Sequence, residues 1–88
     1  MSDHKDDLSI NNFANELKIK MKKSREKGRS GWEDPEKCST ETLCHMTIEH
    51  MQKGNPGTFE DIGAFAMMLH QRGDDPLKLK EILGLYIQ

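Results

Sequence analysis

Thr58-Phe59-Glu60-Asp61-Ile62-Gly63-Ala64-Phe65-Ala66-Met67-Met68-Leu69-His70-Gln71-Arg72-Gly73 is the stretch that decides the fold. Its apolar residues lie almost all round a helix, which predicts a central, most buried helix. Thr58 with Asp61 three residues on resembles a capping box in which Asp replaces the usual Glu. Gly73 stops the helix. Gly63 inside it costs about 1 kcal/mol against alanine, a cost that close approach of another helix would explain.

Reading outward, Asp74-Asp75-Pro76 gives the next helix an acidic cap and a proline at its first position. Leu77, Leu79, Ile82, Leu83, Tyr86 and Ile87 follow, more apolar residues than a solvated terminal helix needs. This helix either packs on the preceding one or extends a surface that meets a second molecule. On the other side, Gly54-Asn55-Pro56-Gly57 ends a helix that begins after Ser39, with Glu41 in its first turn. Leu43, Thr47 and Met51, with Met46 and His50 beside them, share a face. Before it, Gly28-Arg29-Ser30-Gly31-Trp32-Glu33-Asp34-Pro35 reads as a loop, with the only Trp folded back as a core plug or offered as a partner anchor. The first helix runs from about Ser9 to Lys27, with Ile10, Phe13, Ala14, Leu17 and Met21 on one face and Ile19 opposite. The expected architecture is all-α: a small bundle of about four helices forming one domain over 9–88, after a disordered acidic tail at 1–8.

The chain has 88 residues, which makes one modest core. Hydrophobic residues are 34% and charged residues 32%, thin for a core, which predicts that part of the chain is disordered or waits for a partner. Charge is segregated. Residues 1–17 carry a net −3, residues 18–29 a net +6 and the remainder −5. Cys38 and Cys44 read as free thiols in a reducing compartment. The polar N-terminus, and the lack of an apolar run near 18 residues, point to a cytoplasmic protein without a membrane span.

Chemistry is hard to assemble from these residues. Cys38, Cys44, His45, His50 and His70 are metal-ligand types, but a structural zinc site needs paired ligands two to four apart, twice over. His45 and His50 are five apart, about 140° round a helix, whereas a helical zinc pair needs four. Glu41, His45 and Glu49 share a helix face, expected to be wet and chemically ordinary. Gly28-Arg29-Ser30-Gly31 lacks the Gly-Lys-Ser/Thr ending of a nucleotide loop. The expectation is no catalytic residue, no metal and no cofactor. Seven cations between Lys18 and Arg29 could neutralise phosphates, which keeps nucleic acid as an alternative partner.

The Lys-rich first helix, Gly28-Arg29-Ser30-Gly31-Trp32 with Cys38 after it, Leu43, His50, Lys53-Gly54 then Pro56, Asp61, Phe65, Met67-Met68-Leu69 and Arg72-Gly73 together resemble a known module. It is found in small accessory proteins of tailed phages and prophages, and also joined to phage dATP/dGTP diphosphohydrolase-like polypeptides. The resemblance runs from about Phe13 to Gly73, roughly two-thirds of the chain. It implies an early phage gene product of the bacterial host cytoplasm, without the carboxylate clusters of a diphosphohydrolase. Small early phage proteins often act by binding and redirecting a host protein. The expected function is therefore a non-enzymatic accessory protein that binds a host or phage protein. Lys22, Lys23, Arg25, Lys27, Arg29 and Trp32 are the expected contact residues, because Arg and Trp dominate binding energy at interfaces. The apolar content of the last two helices also suggests a homodimer.

Overall fold

The structure, a computed structural model, describes residues 4–87. It is all-α, with four helices and no strand among the described residues: α1 (Lys5–Glu26), α2 (Thr40–Lys53), α3 (Thr58–Arg72) and α4 (Pro76–Tyr86). The chain divides into two compact units, Met1–Ser30 and Gly31–Gln88.

The first unit is α1 and its terminal turn. It starts at Lys5, so residues 5–8 are helical and not part of a disordered tail. Residues 1–3 of the expected tail lie outside the described residues. The reason for the early start is local. His4 Nδ1 accepts the Asp6 backbone N–H at 3.0 Å, and Asp6 and Asp7 sit in the first turn, where the helix dipole favours acids. At the other end the Gly28 N–H reaches the Arg25 carbonyl at 2.9 Å and the Arg29 N–H reaches Ser24 at 3.1 Å. These two bonds form a Schellman cap, and Gly28 adopts the left-handed φ of 85° that the cap demands.

The second unit holds α2, α3 and α4. Ser39 caps α2 by accepting the Thr42 N–H, and Gly54 ends it in the left-handed conformation. Asn55-Pro56-Gly57-Thr58 then makes a tight turn, closed by Thr58 N–H to the Asn55 carbonyl at 3.1 Å. Pro in second place and Gly57 at φ 91° are what a type II turn requires. The expected Thr58–Asp61 capping box does not form. The Thr58 hydroxyl turns back to the Asn55 carbonyl at 2.7 Å, and Asp61 points to α2. Asp75 caps α4 by accepting the Leu77 N–H, with Pro76 in the first turn as expected.

The centre of this unit is α2, not α3. α2 packs against both α3 and α4, whereas α3 and α4 do not approach each other closely. α2 is suited to the middle because it buries two adjacent strips, Leu43 with Thr47 and Cys44 with Ile48. Cys44, Ile48 and Ile82 form the core cluster, with Leu69, Leu79 and Tyr86 packed against it. α3 buries only Ala64, Phe65 and Met68; Phe59 in its first turn is 80% exposed. The expected apolar face of α2 is also shifted. Met46 and Met51 point outward, while Cys44 and Ile48 point in.

Ile82 is the one buried residue of α4. Ile82→Ala should lower unfolding stability by about 2–5 kcal/mol in urea titration, the range for truncating a buried aliphatic. Leu85→Ala, at an exposed position, should change it by no more than about 0.5 kcal/mol. Equal effects at the two positions would contradict the packing described.

Candidate functional site

The most constrained polar group is Arg72, in the last turn of α3. Its side chain is 4% exposed and its guanidinium fans across the connection before α2. One terminal nitrogen donates to the Trp32 carbonyl at 2.8 Å and to the Cys38 carbonyl at 2.7 Å, while the other reaches the Thr40 hydroxyl at 3.4 Å. Nε lies 3.1 Å from Asp74 Oδ2. That contact is close but misaligned: neither buried atom completes a hydrogen bond. The pair is therefore held by charge, and charge is what makes burial of the cation tolerable. Arg72 touches only main-chain carbonyls, a hydroxyl and a structural partner, so its role is to hold the fold.

Two histidines of α2 are tied down in the same way. His50 Nδ1–H donates to Asp61 Oδ2 of α3 at 3.0 Å, and its ring lies 5.1 Å from that of Phe65. His45 shares a hydrogen bond with the Tyr86 hydroxyl of α4, the ring centroids being 5.6 Å apart. Of the Glu41-His45-Glu49 face, Glu41 and Glu49 stay exposed as the sequence suggests, and only His45 is half-covered, by Tyr86 of α4. Lys78 Nζ of α4 lies 3.5 Å from Glu41 and 3.4 Å from Glu81. The Glu41 carboxyl sits below its usual range, first through its own backbone N–H at the helix start and then through Lys78. The Lys78 ammonium is raised, chiefly by its bond to Glu81. Loss of solvation against α2, with Glu49 nearby, raises the Tyr86 phenol.

Cys38 and Cys44 are both free thiols. Cys44 is buried, and burial pushes its thiol up, away from the reactive thiolate. It floors a cleft of about 370 Å³ between the end of α3 and the start of α4, lined also by Leu69, His70, Asp74, Pro76 and Leu79. Among the described residues no three of His, Cys, Asp and Glu come together where they could hold a metal ion. No helix among them is long and apolar enough to cross a membrane.

The predicted contact residues separate. Lys22, Lys23, Arg25, Lys27 and Arg29 are all exposed and belong to the first unit. Trp32 opens the second, half-buried, with its carbonyl engaged by Arg72. None of the five cations forms an ion pair among the described residues. Sequence reading missed Arg72. Its only signal was a cation in the last turn before Gly73-Asp74, a run that can close a helix and reverse the chain.

Compared with family models, curated proteins and solved structures, the chain matches none.

Arg72→Leu should cost about 3–5 kcal/mol in chemical unfolding, since it strands Asp74 and two carbonyls. Arg72→Lys should recover part of that loss, because an ammonium keeps the charge without the planar fork. A wild-type stability in Arg72→Leu would show the clamp to be idle. Tyr86 is the only Tyr, so phenolate absorbance reports it alone. Its folded value is raised, so its contribution to stability is full below about pH 10 and is lost as pH climbs through the raised value. The phenolate midpoint should drop in concentrated urea; an identical midpoint folded and unfolded would contradict the packing of Tyr86 on α2.

Proposed function

We propose that this chain is a small, non-enzymatic accessory protein of a phage or prophage that binds an acidic surface on a host or phage protein. The observation that carries this reading is the row of cations Lys22, Lys23, Arg25, Lys27 and Arg29, exposed and without an ion pair among the described residues. Cations that serve a fold are usually matched by carboxylates, as Arg72 is by Asp74. Unmatched ones give a long-range attraction that steers association with an oppositely charged partner. The side chains able to do acid–base chemistry support the same reading. His50 is engaged by Asp61 and His45 by Tyr86. The resemblance to phage accessory modules supplies the biological setting: action in the host cytoplasm, by redirecting a host system.

A second reading is favoured by the density of the charge. Seven cations lie within residues 18–29, and all but the half-buried Lys20 are exposed. A nucleic acid backbone would match that density through release of its counterions.

Capture from nuclease-treated bacterial lysate separates the two. Wild type should retain a specific protein that a Lys22→Glu, Lys23→Glu, Arg29→Glu variant loses. Retention that disappears with nuclease treatment would favour the second reading. A captured set identical for wild type and variant would remove the cations from the function.

A further inference from the structure

α1 also carries an apolar stripe. Ile10, Ala14, Leu17 and Met21 follow one another in steps of four, three and four, which keeps them on one side of the helix. Phe13 lies at its edge. Ile10 and Phe13 are exposed at 64% and 40%, Ala14, Leu17 and Met21 are half-buried, and no residue of α1 is fully buried. A single helix gains little stability by itself, because nucleation is costly and an amphipathic helix depends on cover for its apolar side.

The spacing of the stripe says what kind of cover fits. Steps of four, three and four read the same in both chain directions. Their centre falls between Asn15 and Glu16, which is also the midpoint of Lys5–Glu26. A two-fold axis at that point lays Ile10 against Met21 of a second copy, and Ala14 against Leu17. Self-matching of this kind is what a symmetric, two-fold interface requires. Alternating steps of three and four are the seam of paired helices.

Charge sets the direction of pairing. Residues 1–17 carry a net −3 and residues 18–29 a net +6. Antiparallel pairing lays the acidic end of each copy along the basic end of the other. Parallel pairing lays both basic ends together. In the antiparallel register Asp6, on the flank shared with Phe13 and Lys20, comes beside Lys27 of the second copy. We infer that α1 is a self-association helix, and that its partner is a second copy of this chain bound antiparallel through Ile10, Ala14, Leu17 and Met21. This inference stands on the stripe and the charge gradient, apart from the acidic partner proposed above. Loss of that partner leaves it intact.

Sedimentation equilibrium of the full chain at several concentrations tests it. The expected result is a monomer–dimer equilibrium that shifts toward monomer as salt rises, because the end-to-end charge attraction is screened. Leu17→Glu should abolish the dimer while the urea transition of the second unit is retained. Asp6→Lys tests the charge register, with α1 helicity followed by circular dichroism because the change also removes an acid from the first turn. It should raise the dimer dissociation constant about tenfold, since it turns two attractive contacts repulsive. Asp6→Lys with Lys27→Asp should restore it. In a parallel pair like residues meet like, so neither change would matter. A chain monomeric at every concentration, a dimer indifferent to Leu17→Glu, or a double variant no better than the single one each overturns the inference.

Discussion

A buried guanidinium fixes the second unit. The segment between Gly31 and Ser39 forms only isolated turns, in which Gly31 and Asp34 accept local N–H groups, so other carbonyls there need donors from elsewhere. Arg72 supplies them to Trp32 and Cys38. It can do so because Gly73 ends α3 in a Schellman turn, with Gly73 N–H to His70 and Asp74 N–H to Leu69, both at 3.1 Å. That reversal places the Asp74 carboxylate back against Arg72 Nε. Three consecutive residues thus close one helix, neutralise a buried charge and anchor a distant loop. Asp75 starts α4 immediately after.

With the ends of α3 and α4 fixed near this joint, α2 takes the middle. Its seam toward α4 is apolar at the centre, through Cys44, Ile48 and Ile82. Polar contacts bracket it, with Lys78 on Glu41 near one end and Tyr86 on His45 near the other. Toward α3, His50 and Asp61 make the corresponding tie. The polar residues of α2 therefore set alignment, and its apolar residues supply the burial.

Several helix boundaries were readable in the sequence because a local device makes them, although the His4 cap that starts α1 was not. Ser39, Gly54, Gly73 and Asp75-Pro76 all act where their chemistry predicts, since a cap or a left-handed turn needs only its own neighbours. Helix pairing was not readable in the same way. Periodicity shows that Phe59 and Met51 are apolar, but not whether another helix reaches them, and both remain outside the core. His45 looked wet because the residues that cover it lie on α4, some forty positions later. Arg72 was hidden for a different reason. Two of its four partners are main-chain carbonyls, and any sequence provides those. The exposed cations of α1 were legible because charge density needs no tertiary context, whereas what they meet is a property of another molecule.

Thr47 shows what kind of centre this protein has. Its hydroxyl is buried, yet it bonds back to the Leu43 carbonyl of its own helix at 2.7 Å. The core polar group thus needs nothing from α3 or α4, and the seam toward α4 is filled separately, by Cys44, Ile48 and Ile82. Interiors of that sort accept volume-conserving exchange of one hydrocarbon for another. Over generations such a seam can drift in composition while the ionic and hydrogen-bonded fasteners at its edges stay fixed. Kinship among proteins built on this plan would then persist in a few polar positions long after the apolar ones had diverged.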